Sequence, residues 1–320
     1  MTRTFTDSLA VRSATPLWVG LVGPSFSGKT FSALRLATGM QRVSGGDVFV
    51  VDTEARRALH YAEQFVFRHV PFEGPYSPDD YVAAFEHCVK RGAKVIVTDS
   101  FSHVWEGLGG VLEQHDAEVQ RRAKGDDDKA ERVKMAAWIE PKAKHRRMVN
   151  AMLTMPVSFI ICLRAKEKLR IQPGKKPEPR GWMPIASDEL VFELTLKCLL
   201  LPGSDGVPTW HPEYNDEKQL IKLPQQFREM FKKPEQLNED VGERLAAWAA
   251  GSVAATSLAT EIAARYARCQ DDNTLASLEH ARRELWPNMS KDEKALLKLA
   301  SEQANARLAE AARVATGGGT

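Results

Sequence analysis

The sequence predicts an α/β fold: a mostly parallel sheet with helices on both faces, joined to a helical C-terminal domain. Three observations lead there. Short apolar runs of strand character recur, segments of helical pattern separate them, and the composition changes near residue 235.

The strand candidates are 17–22 (LWVGLV), 48–51 (VFVV), 94–98 (KVIVT), 157–163 (VSFIICL) and 190–201 (LVFELTLKCLLL). They are apolar at nearly every position, as strands buried on both faces of a parallel sheet are. Helices are expected over 29–41, 78–90 and within 100–155, with right-handed crossovers between the strands. Residues 164–235 are rich in Pro and Lys, with turns expected at Pro202-Gly203 and Asp205-Gly206. From residue 241 onward there are 20 alanines and one proline, Pro287, and this stretch reads as three or four helices. Ser290 followed by Glu293 has the spacing of a capping box. Leu258, Ile262, Tyr266, Leu275, Leu278 and Leu285 recur at helical spacings and predict a small bundle. The expected division, with its boundary falling around 235–250, is a core over 1–235 and a helical domain over 236–320. The latter holds ten basic and twelve acidic residues, which suits protein contacts or capping of the core better than DNA.

Bulk properties narrow the function classes. The chain has 320 residues, room for two domains, with 43% hydrophobic and 27% charged residues, a globular composition. The formal net charge is only +2, so a nucleic-acid partner requires a local basic patch. Cys88, Cys162, Cys198 and Cys269 lie far apart without C-x-x-C, which excludes a zinc finger or a disulfide framework and fits a reducing cytosol. The first 16 residues hold no apolar leader and no run of 18 apolar residues exists, so a cytoplasmic location is expected.

The densest chemical signal is Gly23-Pro24-Ser25-Phe26-Ser27-Gly28-Lys29-Thr30, a match to G-x-x-x-x-G-K-[ST] between a strand candidate and a helix candidate. Glycines let successive backbone N–H groups face one concavity that suits phosphate oxygens. The helix opening near Gly28 adds the positive end of its dipole. Lys29 is expected to reach the β- and γ-phosphates of ATP, and the Thr30 hydroxyl to ligate Mg2+. A second metal ligand is expected at the end of an apolar strand, and VIVTDS supplies Asp99 there. ATPases of the AAA+ type commonly carry Asp-Glu at this place. Here Ser100 follows, so the base that activates water must come from elsewhere. Glu54 in VVDTE is the preferred candidate, at the end of the neighbouring strand, with Asp52 as its rival.

Together these elements resemble the RecA-type recombinase core over residues 15–201. The resemblance rests on GPSFSGKT, the glutamate of VVDTE, the strand VIVTDS, and FIICLR leading into a basic loop. In its short core and Ala-rich tail the chain is further similar to phage-type single-strand annealing and recombination ATPases. That resemblance implies a P-loop NTPase of RecA type that binds ATP and Mg2+, acts on single-stranded DNA and forms a homo-oligomer. It also implies a glutamine sensor near the end of the fourth strand. No Gln stands there, and Arg164 or Lys166 is the candidate substitute.

The loop 164–182, RAKEKLRIQPGKKPEPRGW, carries seven basic residues against two acidic ones and is expected to be irregular. Lys168, Arg170, Lys175, Lys176 and Arg180 are the candidate phosphate contacts for a single strand, with Trp182 as a base-stacking platform. Lys166 or Lys168 is alternatively a finger reaching a neighbouring subunit's ATP, as Arg164 also is. The stretch 121–147, with ten basic and five acidic residues, reads as a solvated helix face. His103, His115 and His145 lack metal-ligand spacing. Three functions compete: a DNA-dependent ATPase in recombination or annealing, a nucleotide-switched loader or assembly factor that barely hydrolyses ATP, and a P-loop small-molecule kinase with 164–182 as a phosphate-gripping lid. A recombination or replication protein is a candidate partner of the C-terminal helices.

Overall fold

The computed structural model describes residues 14–170, 178–210, 221–251, 258–289 and 291–317. Two compact units divide the chain, one spanning Thr15–Ala250 and the other including Gly251–Thr320.

The first unit opens with β1 (Trp18–Gly23), α1 (Lys29–Ser44), β2 (Asp47–Asp52) and β3 (Arg68–Pro71). Then come α2 (Pro78–Lys90), β4 (Ala93–Asp99), α3 (His103–Glu106), α4 (Val111–Ala123), α5 (Asp127–Ala137) and α6 (Ile139–Leu153). It closes with β5 (Ser158–Arg170), β6 (Glu178–Pro184), α7 (Asp188–Glu193), β7 (Leu196–Leu199) and α8 (Glu239–Ala249). The strands form a seven-stranded sheet in the order β3-β2-β4-β5-β1-β7, with β6 pairing β5. All the pairings are parallel except β5 with β6. The architecture is the mostly parallel α/β arrangement of a P-loop NTPase.

Strand parity explains why both sheet faces are covered. Val19, Leu21, Val48, Val50, Val95 and Val97 join one core cluster, which includes Leu34 and Met40 of α1. Trp18, Val22, Phe49, Val51, Ile96 and Phe159 join the other, with Phe85 of α2 and Met148 of α6. Alternate side chains of one apolar run thus feed opposite cores. The register then sets the site: Asp52 lies beside Asp99 across β2 and β4, and Gly23 beside Arg164 across β1 and β5.

Three expectations change. The run 190–201 is not one strand. Ser187 caps a short helix, its Oγ accepting from the Leu190 N–H at 3.2 Å, and only Leu196–Leu199 is strand. The Ser-Asp-Glu start outweighs the apolar pattern, which cannot by itself separate a buried helix from a buried strand. The described parts of the basic stretch, 164–170 and 178–182, are strand rather than irregular. β5 continues to Arg170 and β6 pairs with it antiparallel, placing Pro179 and Pro184 where prolines are tolerated, on a strand with one partner. β3, short and polar, adds an unexpected parallel strand beyond β2.

The first unit runs to Ala250, within the 235–250 interval in which the boundary is expected. α8 packs directly on α1: a Cβ on Gly39 would meet the Glu239 carbonyl oxygen at 1.8 Å, and one on Gly242 the Leu36 oxygen at 2.2 Å. Only glycine permits such backbone contact. Arg35 adds a fork onto the Glu239 carboxylate, with N–O distances of 2.8 to 3.1 Å.

The second unit contains α9 (Leu258–Arg268), α10 (Asp272–Leu285) and α11 (Lys291–Gly317). Ile262, Tyr266, Leu275, Leu278, Leu297 and Ala304 share its core, and Leu285 packs partly buried against it. Ser290 of the capping-box signature lies outside the described residues. No helix among the described residues is long and apolar enough to cross a membrane.

Candidate nucleotide-binding site

The loop from Gly23 to Thr30 turns from β1 into α1 at Gly28, whose φ of 77° suits glycine. The Lys29 ammonium folds back over the loop and donates to the carbonyls of Gly23 (2.9 Å) and Pro24 (2.7 Å) and to Ser27 Oγ (3.3 Å). Burial pushes that ammonium below its ordinary range. The hydroxyl of Thr30 donates to the carboxylate of Asp99 at the end of β4. Burial pushes the Asp99 carboxyl up to about 6, against the opposing Thr30 hydrogen bond.

A cavity of about 500 Å3 lies over the loop, lined among others by Lys29, Thr30, Asp99, Glu54, Arg57 and Arg164. A second cavity of about 370 Å3 shares Phe26, Ser27 and Gly28 with it and continues along Phe31, Arg35 and Gln236. Phe26, 98% exposed, stands at the lip common to both. Ser25 also lines the larger cavity.

The two acids after β2 have different environments. Asp52 is buried and its carboxylate is fully engaged. Oδ1 accepts from Glu54 N–H at 2.8 Å; Oδ2 accepts from Ala58 N–H at 3.0 Å and lies 3.1 Å from His69 Nε2. It organises the turn that follows β2. Glu54 faces the cavity. Its Oε1 accepts from Arg164 Nε at 3.0 Å and from an Arg164 terminal nitrogen at 2.7 Å, and its Oε2 lies 3.6 Å from Arg57.

Thr53 ties this turn to β4. Its Oγ1 accepts from Ser100 N–H at 2.8 Å, donates to Ser100 O at 3.0 Å, and lies 2.7 Å from His103 Nδ1. With the Thr53 proton given to the carbonyl, Nδ1 is the donor to Thr53, and His103 Nε2 is left as an acceptor 4.0 Å from Glu54 Oε1. Burial, then the Arg164 charge, hold the imidazole below its ordinary range, with Glu54 opposing. Ser100 itself is fully buried.

The structure thus brings together the loop 23–30, Asp99, Glu54 and Arg164, which lines the cavity of its own chain. Lys166 does not join them; it lines a separate cavity with Trp105. Lys168 and Arg170 lie on β5 and Arg180 on β6, while Lys175 and Lys176 fall outside the described residues. Trp182 is half-buried against the core cluster that holds Trp18 and Phe159, so part of its ring surface serves packing. In 121–147, Arg121 and Arg122 both pair with Glu118, Lys134 pairs with Glu131, and Arg146 with Glu189, as a solvated helix face would. Sequence reasoning missed Arg57, His60 and Tyr61, which the 3-10 turn Arg57–Tyr61 presents to the cavity. Their only signal was closeness to VVDTE.

The family model described as an AAA domain matches residues 15–195, more than half of the chain. No curated protein matches it.

Proposed function

The chain belongs to the AAA-domain family of P-loop ATPases, and from that premise we propose that it hydrolyses ATP under control of single-stranded DNA, in phage-type homologous recombination or strand annealing. The triphosphate lies over the loop 23–30, and the smaller adjoining cavity takes the nucleoside. Lys29 exchanges its loop carbonyls for β- and γ-phosphate oxygens, so its charge is already in place. The residues fit Mg2+: the Thr30 hydroxyl and the Asp99 carboxylate are in contact, two hard oxygens at one point. They would hold the ion, which neutralises developing charge on the phosphates. Glu54 orients and polarises the attacking water, and His103 Nε2 is an additional acceptor beside it. The helical tail and the position of Glu54 on the cavity argue against the kinase reading.

One observation carries the DNA part. Arg164 pairs with Glu54 at 2.7 Å, and the same residue begins the basic stretch that forms the β5–β6 hairpin. A strand on Lys168, Arg170, Lys175, Lys176 and Arg180 therefore acts on the residue that holds the base. The helical unit serves self-assembly into a homo-oligomer and docking of a recombination or replication protein.

The test is the steady-state ATPase rate of the full chain with and without a single-stranded oligonucleotide, with Lys29→Ala as control. A severalfold stimulation that is lost in Lys29→Ala is expected. A low rate unchanged by DNA overturns the reading in favour of a nucleotide-switched loader.

A further inference from the structure

We propose that the cavity between α3, the root of the β5–β6 hairpin and α7 holds a single nucleobase of a bound DNA strand. This inference rests on the single-stranded DNA reading above.

The cavity measures about 160 Å3, well below the range of drug-sized ligand pockets. That is room for one ring system rather than for a whole nucleotide. Its lining is mixed in a way that suits a base. Trp105, Met183, Ile185 and Val191 supply ring and aliphatic surface, and base–aromatic stacking is open to every base because each has a π-face. The Trp105 ring is set before any ligand arrives: Trp138 stacks on it at 6.2 Å, and the His145 ring meets it edge-on at 5.9 Å. A preorganised aromatic loses little conformational freedom on binding.

The charges distinguish base from phosphate. Glu106 and Asp188 also line the cavity. Carboxylates repel phosphate but accept from the exocyclic amino groups of cytosine and adenine, which thymine lacks. Lys166 lines the same cavity and is exposed, on the hairpin whose sequence carries the chain's densest uncompensated positive charge. A strand whose phosphates follow the hairpin and whose base enters beside Trp105 satisfies both charge patterns.

The cavity also lies next to the chemistry. Arg164 contacts Glu54 of the nucleotide cavity at 2.7 Å and lies 3.9 Å from Glu106 of this one. One guanidinium therefore bonds the Glu54 carboxylate and lies within ion-pair range of Glu106.

The experiment measures binding of fluorescein-labelled (dC)20 and (dT)20 by anisotropy at constant salt and pH 8. The proteins are the full chain, Trp105→Ala, Trp105→Phe and Ala186→Leu, the last adding bulk to the cavity while leaving Trp105 in place. The full chain is expected to prefer (dC)20. Trp105→Ala is expected to weaken (dC)20 binding by about ten-fold or more, the scale of one lost stack. Trp105→Phe should restore most of the affinity, and Ala186→Leu should reproduce the loss if Trp105→Ala fails to fold. A full chain that binds DNA, with Trp105→Ala or Ala186→Leu binding equally well, overturns the cavity and leaves the DNA reading standing. A full chain that binds neither oligonucleotide overturns both.

Discussion

Asp99 in the first unit and Glu279 in the helical unit are both carboxylates drawn out of water, and they meet opposite fates. Asp99 has the Thr30 hydroxyl as its side-chain donor, so burial prevails and its carboxyl rises to about 6. Glu279 also feels burial, but hydrogen bonds from Ser301, Arg282 and Tyr266 outweigh it and hold the group below its ordinary range. The saturated carboxylate ties three helices together. The under-supplied one retains capacity for a ligand with positive charge. The comparison separates a structural acid from a functional one by its count of donors.

The largest effect concerns the acids that follow β2, which placement rather than donor count separates. Asp52 is buried in its turn, while Glu54, though paired with Arg164 and Arg57, lines the cavity. Glu54→Gln is expected to lower kcat by roughly 10²–10⁴-fold with nucleotide affinity nearly kept. Asp52→Asn should instead lower stability by about 1–3 kcal/mol, because it disturbs a carboxylate that three groups share. Turnover and urea denaturation of both variants decide this, and normal turnover by Glu54→Gln with none by Asp52→Asn reverses the assignment.

The next test addresses the two carboxylates themselves. Asp99→Asn removes a charge that burial disfavours at pH 7.5, so the ligand-free protein should be no less stable, while Mg2+-dependent nucleotide affinity falls about ten-fold or more. Glu279→Gln should do the reverse, losing about 1–3 kcal/mol of stability with nucleotide affinity unchanged. Fluorescent-nucleotide titration beside thermal unfolding reads both, and matching behaviour of the two variants would remove the distinction.

The smallest effect tests a buried cationic group that a neighbouring carboxylate only partly compensates. Burial pushes the His145 imidazole below its ordinary range, with Glu189 opposing. An unfolded histidine takes up its proton at about 6.5, and the native one only at lower pH. Between those values the unfolded chain binds more protons, so this contribution to stability is lost as pH falls. Urea midpoints at pH 7.5 and 5.5 should therefore lie closer together in His145→Gln than in the parent chain. An equal gap in both would place the acid sensitivity elsewhere.

Local features were legible in the sequence. The loop 23–30 is eight consecutive residues, and the helix over 78–90 has Ser77 as its cap and Pro78 at its first turn. The hairpin was hidden because charged, proline-bearing strands carry little apolar alternation. The attachment of α8 was hidden because Gly39 and Gly242 act together only once two distant helices meet. Trp182 read as a free platform because its packing against a core cluster gathered from distant elements is a long-range fact.

By itself, then, the sequence determined the phosphate-binding loop, the strands β1, β2, β4 and the apolar start of β5, and the acids that end β2 and β4, since each depends on neighbours within a few residues. Only the tertiary structure decided that Asp52 braces a turn while Glu54 faces the cavity, and that Arg164 rather than Lys166 joins it. Those outcomes depend on the register of β2 with β4 and of β1 with β5, strands separated by scores of residues. A shift of one residue in that register would turn each side chain to the opposite face.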